Sequence, residues 1–370
     1  MDNQETPQPQ PTPQPHHHHH HHHRRPKRRF HPWRWLGGVV AVVLIAIGAY
    51  GWYVYHSIKT TTQNTYIPLS KKKADAAKQA LSSQKPLSIL LMGTDTGAFG
   101  RTEVRGRSDT MILVTVNPTT KVTTMTSIPR DTMAQMIGST GVNIQKVNAA
   151  YSLGGADMAV DTVSALLNVP IQQYAVVNMG GLEKVVDAVG GVNVTVPFDF
   201  KNTGYTFTKG DMHLTGAAAL AYVRMRYEDP KGDYGRAERQ RQVITAILKA
   251  APSLNTLANF KTLLTQVQDN LRTSMSLDDM IAIYQHYKPA AATVKQDVLQ
   301  GVGAYLNGSS YQIASTKELQ RVSDKLRGEM GLSKATLENE ETKQNANNPQ
   351  FDWTATNATG YTVTGADKVN

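Results

Sequence analysis

An α/β sandwich with a central mixed sheet, preceded by one transmembrane helix, is the fold class that the sequence predicts. Three observations predict it. From about Pro86 onward, short apolar runs alternate with segments of helical periodicity. A turn signal, Asn117-Pro118-Thr119-Thr120, separates two Thr/Val-rich runs. Residues 36–55 carry no Asp, Glu, Lys or Arg, which suits a segment that crosses hydrocarbon.

Taken in order, residues 1–35 form a tail rich in Pro, Gln and then His, with the histidine run His16 to His23. Such a stretch buries no core and is expected to be disordered. The run is a low-complexity tract or a tag, and no metal function is assigned to it. Residues 36–56 are the expected membrane helix. About 20 residues at ~1.5 Å each match a hydrocarbon core of ~30 Å. Trp33, Trp35, Trp52, Tyr53 and Tyr55 stand at its two ends, as an interfacial belt does. Arg24, Arg25, Lys27, Arg28, Arg29 and Arg34 flank it on the N-terminal side, which places that side in the cytoplasm and the rest outside. A cleaved signal peptide would end in small residues rather than Trp52, Tyr53 and Tyr55. A buried core helix is the other alternative.

Residues 57–85 read as an extracellular stalk, with a short Lys/Ala-rich helix over 70–83. The main domain spans 86–330. Leu87 to Met92 is a buried strand ended by Gly93. Asp109 to Val116 and Lys121 to Ile128 are strands of a hairpin. Gly155 to Leu167 is a helix, Ile171 to Asn178 a strand, Gly181 to Val189 a helix and Val192 to Val196 a strand. Thr215 to Tyr222 and Tyr234 to Ala250 are helices, the second capped by Asp233. Helical sequence continues over 255–288, and Ala314 to Arg327 is the last helix expected. Residues 331–370 lack periodicity and read as a loose tail.

The net charge is +10, and the chain has no cysteine. Disulfide scaffolding, thiol catalysis and Cys-ligated zinc are therefore excluded. Basic charge suits an anionic membrane surface or an anionic polymer. Nucleic acid is not expected as a partner, because no zinc-finger, homeodomain or RNA-binding motif is present and the basic block abuts the membrane segment.

The chemistry concentrates in three short motifs: Gly93-Thr94-Asp95 with Arg107-Ser108-Asp109-Thr110; Ser127-Ile128-Pro129-Arg130-Asp131; and Arg224-Met225-Arg226 with Asp233-Tyr234-Gly235-Arg236-Ala237-Glu238-Arg239-Gln240. Guanidinium groups grip phosphate in bidentate fashion, and paired carboxylates bind hard divalent cations. Together they describe a site for a doubly phosphorylated substrate. If the hairpin pairs about residues 117–120, Asp109 and Arg130 emerge at one end, with Arg107 and Asp95 nearby. Arg224 and Arg226 share a side only if their backbone is extended. Arg236 and Gln240 share a helical face that continues as Val243, Ile244 and Ile247. Read singly, each Asp–Arg couple is an ordinary ion pair. Asp131 and Glu238 are structural partners for neighbouring arginines, Arg239 and Arg241 are divided between structural and surface roles, and Lys146 either lines the site or is solvated. The joint occurrence carries the argument.

At these motifs the sequence resembles the LytR-CpsA-Psr family of bacterial cell-envelope proteins over about residues 87–250. Lys146-x-Asn148-x-Ala150-Tyr151 and Gly190-Gly191-Val192 extend the match. The resemblance implies a phosphotransferase that moves a glycopolymer, such as wall teichoic acid or capsular polysaccharide, from undecaprenyl diphosphate to peptidoglycan. It implies Mg²⁺ or Mn²⁺ on Asp95 and Asp109. It also implies diphosphate contacts from Arg107, Arg130, Arg224, Arg226, Arg236 and Gln240, with Lys146 alongside. Arg130, Asp109 and Arg107 would carry the chemistry, and Asp109 and Asp131 are both candidates to accept the hydroxyl proton. The lipid tail needs an apolar lining, expected from the sheet and from helices over 155–167, 181–189 and 236–250. The expected location is the cell membrane, single-pass, with the catalytic domain outside a Gram-positive-type envelope.

Three other readings compete. A non-catalytic receptor for polyprenyl phosphates or wall polymers, with a regulatory role, would use the arginines but leave the paired aspartates without a purpose. A transcriptional regulator conflicts with the expected topology. A hydrolase would release free polymer with no acceptor present.

Overall fold

The structure, a computed structural model, describes residues 65–96, 106–250 and 263–369. The expected cytoplasmic tail, the membrane segment and the first part of the stalk lie outside the described residues. Among the described residues no helix is long and apolar enough to cross a membrane.

Helix α1, Lys71–Ser82, leads to strand β1, Leu87–Thr94. Strands β2, Ser108–Asn117, and β3, Val122–Ser127, form the expected antiparallel hairpin. Asn117 shapes its turn: the side-chain oxygen accepts from the backbone N–H of Thr119 at 3.0 Å and of Thr120 at 3.1 Å. Next come β4, Met133–Gln135, β5, Asn143–Lys146, α2, Ala149–Leu167, β6, Gln173–Asn178, and α3, Met179–Ala188. Four short strands follow: β7, Val192–Val196, β8, Phe200–Asn202, β9, Tyr205–Phe207, and β10, Gly210–Leu214. They lead to α4, Gly216–Arg224, and α5, Asp233–Ala250. The last third holds β11, Leu271–Thr273, α6, Leu277–Tyr287, β12, Thr293–Val298, β13, Val302–Leu306, β14, Ser309–Ile313, and α7, Thr316–Glu329. It closes with α8, Glu340–Ala346, β15, Asn357–Ala358, and β16, Lys368–Val369.

The central sheet runs β11-β6-β1-β2-β3-β12. It is mixed, because β1–β6 and β3–β12 pair in parallel while β1–β2, β2–β3 and β6–β11 are antiparallel. Strand alternation divides the core between two faces. Leu90, Met92, Met111, Leu113, Tyr174 and Val176 point to the side where Val160 and Val163 of α2 and Leu319, Val322 and Leu326 of α7 pack. Leu87, Ile89 and Leu91 point to the opposite side, against Ala80 and Leu81 of α1 and Tyr287 of α6. A second core joins β7 and β10 to α4 and α5.

Several expectations change. The helix expected over Gly155–Leu167 is present, and a short helical segment from Ala149 precedes it across a kink at Gly155, where φ is +69°. Strands β4, β5, β8, β9, β10, β11, β12, β13 and β14 were not expected, being short, polar on one face, or placed within sequence of helical composition. Within 255–288, β11 interrupts the helical stretch. The loose tail after residue 331 is instead packed. Phe351, Trp353 and Tyr361 form an edge-on aromatic cluster with centroids 4.8 and 5.0 Å apart around Phe351. Strand β16 pairs with β5, and β15 with β13. Side-chain amides hide this order from a periodicity scan. Gln344 exchanges two hydrogen bonds with the backbone of Thr364 at 2.7 and 2.9 Å, and Asn348 exchanges two with Thr362 at 2.7 and 2.8 Å. These polar residues satisfy the backbone as a neighbouring strand would.

Candidate active site

The cavity of about 490 Å³ lies between the sheet and helices α3, α4 and α5. Its body is apolar, formed by Leu91, Ala175, Val177, Leu182, Leu220 and Ile244 among others. At one end the wall turns polar, with Asp95, Asp109, Arg130, Arg224, Arg226, Arg236 and Gln240. Residues far apart in sequence thus meet around one opening. The apolar lining comes from the sheet, α3, α4 and α5. Helix α2, expected to contribute, lies on the other face of the sheet with the core around Leu90 and Met92.

The strands position the acids. Strand β1 ends at Thr94, beside Ser108 of β2, so Asp95 and Asp109 emerge at one end of the sheet. Gly106 permits this closeness: a Cβ there would stand 2.9 Å from an Asp95 carboxylate oxygen and 2.6 Å from the Thr96 side chain. The hairpin brings Arg130 to the same end, where its Nη1 donates to Asp109 Oδ1 at 3.0 Å. Arg130 Nε also lies 3.5 Å from Asp131 and 3.6 Å from Asp233.

The basic side is built by the end of one helix and the start of another. Arg224 is the last residue of α4, and the backbone leaves the helix at Met225, with φ −57° and ψ 137°. That extension turns both Arg224 and Arg226 to the cavity while Met225 is buried between them. From α5, Arg236 and Gln240 line the polar end, and Val243, Ile244 and Ile247 continue the same face into the apolar body. One side of one helix therefore spans both environments, as i, i+4, i+7 spacing requires.

Two residues had no site role in the motif reading. Asp233, expected as a helix cap, sits in the first turn of α5 beside three guanidiniums: Arg226 at 3.1 Å, Arg236 at 3.4 Å and Arg130 at 3.6 Å. Its three-residue spacing from Arg236 was the available signal. Tyr227 lines the cavity yet is 96% exposed, so it stands on the rim.

Arg107 and Lys146 are not among the residues that line the cavity. Arg107 is exposed. Lys146 Nζ is 3.5 Å from Asp131 and 5.5 Å from the ring centre of Tyr311, on the far flank of Arg130. Arg239 is fully buried and pairs with Asp229. It also donates from Nε to the Tyr222 carbonyl at 3.1 Å and from Nη2 to that of Met225. It thereby ties down the chain that presents Arg224 and Arg226. Gly235 is required beside this pair, because any Cβ there would collide with the Asp229 carboxylate at 2.0 Å. Arg241 donates to Ser127 Oγ at 2.6 Å and to Gln296. Glu238 pairs with Lys231 at 2.8 Å rather than with an arginine.

Burial is the largest influence on Arg130 and pulls its pKa down, but Asp109, Asp131 and Asp233 together outweigh it and leave the pKa raised. For Arg236 burial wins over Asp233 and the pKa is lowered. Both groups stay cationic. Partly desolvated guanidiniums crowded at one opening are stabilised by a polyanion. No cluster of three or more acidic or histidine ligands occurs among the described residues. The two carboxylates at the opening fit a metal that completes its shell with substrate phosphate, as Mg²⁺ does.

The sequence matches the LytR_cpsA_psr family over residues 52–328. It is 44% identical over 293 residues to an Enterococcus faecalis protein named polyisoprenyl-teichoic acid–peptidoglycan teichoic acid transferase TagU, covering 79% of this chain and 95% of that protein. The crystal structure of protein gbs0355 from Streptococcus agalactiae superposes with a TM-score of 0.65 at 39% identity, covering 70% of this chain and 93% of the other. A structure described as TagT bound to LI-WTA superposes with a TM-score of 0.56 at 30% identity, over 68% of this chain and 92% of the other.

Proposed function

The chain belongs to the LytR_cpsA_psr family, and from that premise we propose that it transfers a teichoic-acid-type anionic glycopolymer from a polyprenyl diphosphate carrier to peptidoglycan. The observation that carries this reading is a single cavity with an apolar body and a polar end holding four arginines and two aspartates. A polyprenyl diphosphate has that same division, a hydrocarbon tail and a compact polyanionic head.

In this reading the tail lies along Leu182, Leu220, Ile244 and Ile247, and Arg130, Arg224, Arg226 and Arg236 take the non-bridging phosphate oxygens. A sugar hydroxyl of peptidoglycan attacks the polymer-linked phosphorus. A phosphodiester bond forms, the phosphoanhydride bond breaks, and polyprenyl phosphate leaves. The hydroxyl proton passes to Asp109 at the opening; Asp131, the other candidate, stands beside Arg130 but does not line the cavity. Catalysis of this kind is mainly positioning and charge stabilisation. Asp95 and Asp109 would hold Mg²⁺ or Mn²⁺, which when bound neutralises phosphate charge. Residues 36–56 would anchor the chain, with the cavity outside the cell.

The test is incubation of the purified chain with lipid-linked polymer and peptidoglycan, with and without EDTA. Covalent polymer–peptidoglycan product, lost with EDTA and with Arg130→Ala, is expected. Binding with no product would favour a receptor, and free polymer released without acceptor would favour a hydrolase. Protease access to the domain on intact protoplasts tests the orientation.

A further inference from the structure

Tyr227 is the most exposed large hydrophobic residue of the described chain, at 96%. A ring in that position contributes almost no burial to folding, so its place in the fold does not explain it. Its surroundings are nevertheless fixed. On one side Arg226 keeps its guanidinium carbon 5.9 Å from the ring centre. On the other, the Asp229 N–H donates to the Arg226 carbonyl at 3.4 Å, the Gly232 N–H to that of Asp229 at 2.9 Å, and the Lys231 N–H to the Asp229 side chain at 2.7 Å. The buried Arg239–Asp229 pair anchors the whole turn. The ring is thus an open aromatic face on a rigid mount, at the rim of the cavity and next to an arginine of the polar end.

We propose that Tyr227 is a stacking platform for the sugar ring that is joined directly to the diphosphate of the donor. This rests on the diphosphate reading of the cavity. With the phosphates at Arg224, Arg226 and Arg236, the group attached to them must leave the cavity at its rim. A pyranose presents one face of polarised C–H bonds, and the negative face of an aromatic ring attracts it. A flat, exposed ring carried on a hydrogen-bonded turn, adjacent to the arginines of the polar end, matches that demand. The phenol hydroxyl stays in water, free to bond to sugar hydroxyls. Tyr227 would therefore select donors by the first sugar, acting as a positioning residue rather than a catalytic one.

The experiment compares two lipids with the full chain: a polyprenyl diphosphate carrying one N-acetylhexosamine, and the same lipid diphosphate with no sugar. Affinities are measured for the wild type and for Tyr227→Phe, Tyr227→Leu and Tyr227→Ala. The expected result is a wild-type preference for the sugar-bearing lipid that falls about tenfold in Tyr227→Ala. Tyr227→Phe should retain most of the preference, and Tyr227→Leu, apolar but not flat, should lose it. Equal weakening of both lipids would overturn the proposal, because the ring would then serve the phosphates or the arginines. Loss of binding to vesicles containing neither lipid would overturn it too, in favour of a membrane contact. Failure of the wild type to bind even the sugar-free diphosphate would instead remove the underlying reading of the cavity, and the platform with it.

Discussion

At the residue scale, Asp233 and Arg239 show how little of a side chain's role follows from its identity. Asp233 lies within 3.6 Å of three arginines that line or border the cavity, where it screens their mutual repulsion and fixes their orientation before any anion arrives. Asp233→Asn should lower the transfer rate about ten- to a hundredfold, the scale of misplaced charge in a phosphoryl-transfer site. Its melting temperature should stay within a few degrees of the wild type; a transfer rate equal to the wild type would remove this role. Arg239 belongs to the same motif but serves the fold. Breaking a buried ion pair by removing one partner costs about 3–5 kcal/mol, so Asp229→Ala should lose about that much in a urea titration. That the arginine-rich motifs gather at one opening was legible from the sequence. The sequence set Arg239 apart from Arg236 as structural or surface, but its partner Asp229 was not legible, because that pairing exists only once the turn before the helix is folded over it.

At the element scale, helix α5 is the part of the site the sequence foretold most fully. Arg236, Gln240, Val243, Ile244 and Ile247 all line the cavity, as helical spacing requires. Ile244→Asp should put an ionisable group in the path of the tail. Donors with a long polyprenyl chain should bind at least tenfold more weakly, whereas short-chain analogues that reach only the polar end should be affected much less. Equal loss with both would mean that the tail does not run along this face. The hairpin was equally readable, since its turn residues and strand lengths fix where Asp109 and Arg130 emerge. Strands β4 and β5 were not, because three- and four-residue strands carry too few alternations to register. Nor were β8, β9 and β10, which leave much of their surface exposed and offer little apolar contrast.

At the scale of the whole described domain, the last forty residues matter more than their composition suggests. Phe351, Ala358 and Tyr361 share a core with Ile144, Val302, Tyr311 and Ile313. Ending the chain at Leu332 should expose that core and destabilise the domain by several kcal/mol, seen as a lower melting temperature and increased dye binding. Within this region Glu341 is buried, accepts the Gln135 N–H at 2.7 Å, and has its pKa pushed by burial from 4.5 to about 7. The folded state therefore holds this proton more tightly than the unfolded chain. The resulting stabilisation is full below about pH 4.5 and is lost as pH rises through about 7. Glu341→Gln should flatten that part of the pH–stability curve, and an unchanged slope between pH 5 and 7 would contradict the assignment. The sequence hid this region because its order rests on amides bonded to backbone, which no hydropathy pattern reports.

The edge strand β12 has a kinetic consequence. It joins β3 in parallel, Thr293 beside Val122 and Val298 beside Ser127, so the sheet cannot be completed until a late portion of the polypeptide has returned to an early one. Loop closures of that length slow the search for the native topology. Refolding from denaturant should be sluggish, and during synthesis an unfinished sheet margin should stay open to mispairing or chaperone capture until that strand arrives.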